Sequence, residues 1–178
     1  MLKKLYPYKY VESVFSINYQ KLYQIGYRGI IFDIDNTLVP HGKDSTTEVD
    51  NLFQTLHTIG FKTLLLSNNN EERVKKFLKN IDSEYICDAE KPNIGGYIKA
   101  VDMLKLKKKE VVYIGDQIFT DILGANKAGI DNILVKYIGF YENDKKGIKR
   151  NLEKIILNLY SKNKKYKNRI DIQKEEEQ

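Results

Sequence analysis

The sequence predicts one α/β domain, a mostly parallel sheet with helices on both faces and no large inserted cap. Three observations predict it. Short apolar runs without alternation recur along the chain, as in strands buried on both faces. Segments of helical period lie between them, as the crossovers between parallel strands require. Polar residues follow the runs, where open parallel sheets place their ligands.

Residues 11–26 come first, with Val11, Val14 and Phe15 followed by Asn18 as a helix cap and Gly26 as a stop; this stretch reads as helical packing ahead of the first strand. Gly29 to Asp33 (Gly-Ile-Ile-Phe-Asp) is the first strand. Ser45-x-x-Glu48 resembles a capping box, and Val49, Leu52, Phe53, Leu56 and Ile59 then recur at helical spacing until Gly60. Phe61–Leu66 is the second strand, and Val74, Phe77, Leu78 and Ile81 mark a second helix. Tyr85–Cys87 is the third strand, before a helix marked by Ile94, Ile98, Val101 and Leu104. Val111–Ile114, a helix from Phe119 to Ala128 closed by Gly129, and Asn132–Val135 complete the alternation. A last helix, with Ile148, Leu152, Ile155 and Leu159 on one face, closes the fold near residue 160. Residues 1–160 are thus expected to form the domain, and the polar, charged residues 161–178 a poorly ordered tail.

A chain of 178 residues, 42% hydrophobic, suits a single core. The lone Cys87 permits no internal disulfide and points to a reducing, cytoplasmic setting. No apolar run approaches the ~20 residues that span a bilayer, and the amino terminus lacks a signal-peptide pattern. Of the net charge of +6, residues 141–178 carry +4 and residues 1–140 carry +2. A basic tail could touch nucleic acid or anionic lipid; solvated Lys/Asn-rich ends are the bland alternative.

The strand ends carry the chemistry. Asp33-Ile-Asp35-Asn-Thr37 places two carboxylates two residues apart, on one side if the backbone is extended. Their repulsion calls for a cation, and a hard, oxygen-seeking ion such as Mg²⁺ fits. Gly115-Asp116-Gln-Ile-Phe-Thr-Asp121 ends the fourth strand: Asp116 can join the metal, and Asp121 can hold its water or orient a neighbour. Ser67 and Lys91, beyond the second and third strands, offer a hydroxyl and an ammonium for a phosphoryl group. Singly, Asp-x-Asp reads as a loop or cap, Ser67 as a turn residue and Lys91 as surface charge. Ordered at successive strand ends, they have no comparably simple structural explanation.

In these motifs the sequence resembles the haloacid dehalogenase superfamily of phosphatases, a Rossmann-like fold. Pro7-x-x-Tyr10-Val11-x-Ser13-Val14, Asp33-Ile-Asp-Asn-Thr-Leu38, Leu66-Ser67-Asn68-Asn69 and Gly115-Asp-Gln-Ile-Phe-Thr-Asp121 are similar to the YqeG-like branch of subfamily IIIA, related to mitochondrial phosphatidylglycerophosphate phosphatases. The resemblance implies that Asp33 attacks phosphorus to form a phospho-aspartate. Asp35 would protonate the leaving oxygen and then activate water, with Thr37 bracing the loop. Ser67, Asn68 and Lys91 would hold phosphate. Asp33, the Asp35 carbonyl and Asp116, supported by Asp121, would hold Mg²⁺. A pKa nearer neutrality than the ~3.9 of a free Asp would serve Asp35 in both its roles.

About 28 residues separate Leu38 from Ser67, and about 23 separate Ser67 from Lys91, too few for a cap. An open site admits a bulky phosphate ester, and the branch resemblance suggests phosphatidylglycerophosphate. Tyr6, Tyr8, Tyr10 and Phe15, with the basic tail, could rest on the inner face of an anionic membrane; the same aromatics could equally pack the core. His41 could contact substrate or lie in solvent, and Asn36 and Asn69 could contact phosphate or stabilise turns. A non-catalytic basic module that binds nucleic acid is the alternative function, against which the acidic set argues. A phosphate-receiver domain is a third, but there the acidic pair precedes the phosphorylated Asp on another strand.

Overall fold

The computed structural model describes residues 2–138, 147–167, 169, 170 and 172. After one 3-10 turn, Leu2–Leu5, comes a strand that the sequence reading missed: β1, Lys9–Val11, which meets the stretch expected to pack as helix at Val11. Next come α1 (Tyr19–Gln24), β2 (Gly29–Phe32), α2 (Thr47–Ile59), β3 (Lys62–Leu66), α3 (Glu71–Phe77), β4 (Glu84–Ile86) and α4 (Ile94–Leu104). Then follow β5 (Val111–Gly115), α5 (Leu123–Ala128), β6 (Asp131–Val135), α6 (Gly147–Ser161) and α7 (Lys164–Lys167). The six strands form one sheet in the order β1-β6-β5-β2-β3-β4, and every pairing is parallel.

Alternation along the central strands assigns each face its helices. Ile30, Phe32, Leu65, Val112 and Ile114 point to the side covered by α1, α2 and α3, through Leu22, Leu56, Val74 and Phe77. Ile31, Leu64, Leu66, Val111 and Tyr113 point to the side covered by α4 and α5, through Tyr97, Val101 and Ala125. Burial on both faces explains why these strands read as continuous apolar runs. A smaller cluster joins Tyr6, Ile118, Ile122 and Leu134 to Ile156 and Tyr160 of α6.

Local signals differ from expectation in three places. The side chain that caps α2 is Thr46, accepting from the Val49 N–H, whereas Ser45 donates to Asp50. The segment after β5 begins as one π-helical turn, Ile118–Ile122, before α5. α6 turns a different face to the fold from the one expected: Glu153, Ile156 and Tyr160 are buried, while Leu152, Ile155 and Leu159 are exposed. The Ile148 side chain lies outside the described residues. Polar anchoring accounts for this rotation, because Glu153 accepts the Ile118 N–H at 2.8 Å and Arg150 reaches Asp116.

Of the stretch expected to be a disordered tail, residues 168, 171 and 173–178 lie outside the described residues. Ile170 and Ile172 are buried, and the Ile172 carbonyl accepts the Asn18 N–H at 2.7 Å. Tyr6 is also buried, and the Arg169 guanidinium lies over the Tyr8 ring at 3.7 Å. No helix of the described residues is long and apolar enough to cross a membrane.

The chain leaves β2 toward β3 and β4, then returns across β2 to reach β5. A crevice therefore opens beyond the carboxyl end of β2, at the point where the winding reverses.

Candidate active site

Asp33, Asp35, Asn36, His41, Ser67, Asn68, Asn69, Lys91, Gln117 and Thr120 line that crevice. Asp33 directly follows β2, Ser67 follows β3, Lys91 lies beyond β4, and Gln117 lies just past β5 after the buried Asp116, so four successive strand ends supply it.

The buried centre is a knot of charge. Carboxylate oxygens of Asp33, Asp116 and Asp121 all lie within 4.8 Å of one another. The Lys91 ammonium, only 4% exposed, is 2.6 Å from Asp33 Oδ1 and 2.9 Å from Asp121 Oδ1. Its third hydrogen goes to the Tyr113 hydroxyl at 3.0 Å, which in turn donates to Asp121 Oδ1 at 2.7 Å. Thr37 Oγ1 donates to Asp33 Oδ2 at 3.0 Å, fixing that carboxylate from its other side. Gln117 N donates to Asp121 Oδ2 at 2.9 Å.

Burial opposes charge on all of these groups, and their mutual fields decide the result. Burial pushes Asp33 up to about 6, with Lys91 opposing and Asp121 adding to the rise. Asp116 is driven well above the usual carboxylate range by burial and by the charges of Asp121 and Asp33, against the pull of Arg150. Burial also works against the Lys91 charge, but Asp121 and Asp33 outweigh it and hold the ammonium ionised. Three crowded acids, two of them on the Lys91 ammonium and Asp116 on the Arg150 guanidinium, make a donor set of hard oxygens short of positive charge, which a divalent cation would fit.

Asp35 lines the same crevice, yet its carboxylate turns away from this knot. Oδ1 accepts from Gly42 N and from Arg73 Nη2, each at 3.0 Å, and Oδ2 accepts from Asn69 Nδ2 at 2.7 Å. Burial works against the ionised form, but these donors overcome it and hold Asp35 below the ordinary carboxylate range. The direction is opposite to the shift expected for an acid/base residue, because Gly42, Asn69 and Arg73 all donate to the anion.

Ser67 is buried, with its oxygen accepting from Asn69 N at 3.1 Å and Asn69 Nδ2 at 2.9 Å. Asn68 brackets the Lys91 backbone: its Oδ1 accepts the Lys91 N–H at 2.7 Å and its Nδ2 donates to the Lys91 carbonyl at 3.3 Å. Asn36 holds the turn after Asp35 at a φ of 67°, its side chain accepting the His41 N–H at 3.1 Å. The His41 side chain is 70% exposed, with Nδ1 3.4 Å from Asp35 Oδ2.

Sequence reasoning missed three participants. Arg150, on α6, donates to Asp116 Oδ2 at 2.6 Å and to the Asp116 carbonyl at 3.2 Å, and also reaches Glu153 at 2.8 Å. Arg73, on α3, pairs with Asp35; its Nε and Nη1 are buried without a hydrogen-bond partner among the described residues. Tyr113 looked like one more apolar strand residue. A basic residue at the start of a helix is a weak signal, and nothing local announced the Asp116 pairing.

Gly115 shows how closely the backbone serves the site. A Cβ there would lie 2.6 Å from Cγ of Asp121. Gly115→Ala should therefore displace Asp121 and destabilise the protein by about 1–3 kcal/mol in urea unfolding. Gly95→Ala is the matched control, since its added Cβ meets only Asn93 Oδ1 at 3.8 Å, and stability should hold or rise. Equal stability of the two variants would refute this account of Gly115.

Comparison with known proteins agrees with the geometry. The family description "haloacid dehalogenase-like hydrolase" matches residues 43–129. The chain is 40% identical over 137 residues to "Probable phosphatase YqeG" of Bacillus subtilis, covering 76% of this chain and 80% of that protein. A shorter stretch, 47 residues at 43% identity, is similar to "Glyceraldehyde 3-phosphate phosphatase" of Methanopyrus kandleri, covering 26% of this chain and 20% of that one. The fold is like that of an uncharacterized protein from Listeria monocytogenes serotype 4b, at a TM-score of 0.50 and 17% identity, over 75% of this chain and 99% of that one.

Proposed function

Because this chain belongs to the haloacid dehalogenase-like hydrolases and matches the probable phosphatase YqeG over most of both lengths, we propose that it is a Mg²⁺-dependent phosphomonoester hydrolase working through a phospho-aspartate. One observation carries this reading: a carboxylate at the end of the central strand stands 2.6 Å from a buried ammonium, inside a cluster of three acids of which it is the one that lines the crevice.

In the proposed reaction an Asp33 oxygen attacks phosphorus as the bond to the leaving oxygen breaks, and Asp35 gives that oxygen its proton. Asp35, now ionised, takes a proton from water; the water oxygen attacks phosphorus, the bond to Asp33 breaks and phosphate leaves. Dividing one displacement into two lowers each barrier. Thr37 keeps Asp33 aimed, and Lys91 balances its charge. Ser67, Asn68 and Lys91 form the phosphate-holding wall, with Asn68 acting through the Lys91 backbone. For Asp35 to act as an acid, the incoming phosphate must draw away some of the donors that now stabilise its anion; Asn69 and Arg73 are placed to turn to phosphate oxygens.

Asp33, Asp116 and the Asp35 carbonyl would hold Mg²⁺, with Asp121 behind them. When bound, the ion offsets the negative charge of the acids and of the phosphate. Because Asp33 is raised to about 6 in the fold against 3.8 as its ordinary value, the folded state holds more protons there between those values. The contribution of this group to stability therefore falls as pH rises through that window. Millimolar Mg²⁺ should accordingly raise the melting temperature clearly at pH 7 and much less at pH 5, in a fluorimetric melt of metal-stripped protein. Equal shifts at the two pH values would count against the site.

The residues between Leu38 and Ser67 form one loop, α2 and β3, with no inserted cap, so a bulky ester can reach Asp33. Phosphatidylglycerophosphate is a fitting candidate, as is another large phosphate ester, with the enzyme in the reducing cytoplasm at the inner membrane face. Release of p-nitrophenol from p-nitrophenyl phosphate with Mg²⁺, stopped by a chelator, tests the activity, and a panel of lipid, sugar and nucleotide phosphates tests the substrate. No release from any phosphomonoester would end this reading. The nucleic-acid alternative is not favoured, since four carboxylates gather at the sheet edge where a phosphate backbone would have to lie.

A further inference from the structure

The face of α6 that turns away from the fold is apolar. Leu152, Ile155 and Leu159 are 46%, 58% and 44% exposed, and at helical spacing they form one stripe. Its end opens into a shallow groove lined by Leu2, Tyr6, Leu159, Lys162, Lys164 and Lys165. Across the described residues of Leu2–Leu5, α6 and α7 the one acidic side chain is Glu153, which is buried against Ile118 and Arg150. The surface is therefore an aliphatic stripe bordered by ammonium groups, with no exposed carboxylate among the described residues of these segments.

We infer that α6 and the adjoining lysines form a docking surface for an anionic lipid bilayer. Aliphatic side chains enter the boundary between headgroups and acyl chains, while lysines beside them meet lipid phosphates. Charge complementarity selects this occupant. A second copy of the chain would bring the same lysines against one another, and a nucleic acid would leave the stripe uncovered. The surface keeps basic residues of the expected membrane contact and takes most of its apolar part from α6, with Leu2 and Tyr6 of the amino-terminal segment lining the groove.

The placement bears on function because Arg150, two residues before Leu152, holds Asp116. α6 lying on a bilayer sets the crevice near the headgroups, favouring phosphate monoesters carried on lipids; this consequence rests on the phosphatase reading, whereas the docking itself does not.

Co-sedimentation of the full chain with vesicles tests the inference without any turnover. The protein should pellet with phosphatidylglycerol/phosphatidylcholine vesicles and remain in solution with phosphatidylcholine alone, and about 1 M salt should weaken the binding. A Leu152→Gln/Ile155→Gln/Leu159→Gln variant keeps helix propensity and should bind at least about tenfold more weakly, with its melting temperature and p-nitrophenyl phosphate turnover unchanged. Lys162→Gln/Lys164→Gln/Lys165→Gln should weaken binding and flatten its salt dependence. Wild-type protein left in the supernatant, or equal binding by the glutamine stripe variant, would overturn the inference. So would a wild-type dimer that this variant dissociates. Failure of the phosphatase reading would appear separately, as absent turnover of the soluble ester.

Discussion

Replacing Asp33 by Asn should reduce p-nitrophenyl phosphate turnover by a factor on the order of 10⁴ or more while leaving the protein folded. The amide is nearly isosteric: its oxygen can still accept from Lys91, and its nitrogen can donate to Thr37 Oγ1. What disappears is the anionic oxygen that the proposed mechanism uses to attack phosphorus. The exchange also removes one negative charge from a cluster where burial already disfavours it, so the melting temperature should not fall appreciably. Asp35→Asn offers a contrast. p-Nitrophenolate leaves readily without a proton, so Asp33 can still be phosphorylated, but water is no longer activated and the second step stalls. Protein carrying one phosphoryl group should accumulate in Asp35→Asn and be absent from Asp33→Asn, as read by intact mass. Retention of a tenth of the activity by Asp33→Asn would remove Asp33 from the nucleophile's role.

Lys91→Met should give the largest loss of stability at the site, about 3–5 kcal/mol at pH 7, because it leaves Asp33 and Asp121 buried without their cation. Activity should vanish with it. Lys91 is raised above its unfolded value in the fold, so its contribution is complete below about pH 10 and is lost only as pH rises past the folded pKa. The Lys91 ammonium is therefore charged across the range where enzymes are assayed, and only its acidic partners titrate there. Any difference in pH dependence between the variant and the wild type from pH 7 to 5 is assigned to the carboxylates beside position 91. Without Lys91, Asp33 rises further, so the variant should regain stability on acidification more steeply than the wild type. Urea unfolding at both pH values measures this. A variant within about 1 kcal/mol of wild type at pH 7 would show that Lys91 does not compensate these acids.

The central sheet was legible because its strands are buried on both faces, which writes Gly29–Phe32 and Val111–Gly115 as unbroken apolar runs. Chemistry-bearing residues were legible because each directly follows such a run or lies in the next loop. β1 escaped detection because three residues, one of them Lys9, at a sheet edge carry too short a pattern. The orientation of α6 was misread because periodicity reports an apolar stripe and not what faces it; Arg150 and Glu153, tied to residues 116–118, decided the rotation. The setting of Asp35 was misjudged for a related reason. Proximity of two carboxylates in sequence suggested a shared environment, whereas Asn69 and Arg73, 34 and 38 residues away, give Asp35 its own.

The Arg150–Asp116 pair also has a consequence for biosynthesis. A ribosome delivers the strand carrying Asp33 early, but β1 has no partner until Asp131–Val135 emerges, and Asp116 lacks its guanidinium until α6 has been made and has docked. Until then Lys91 alone faces these acids, so the charge cluster should be complete only once α6 has been made and has docked.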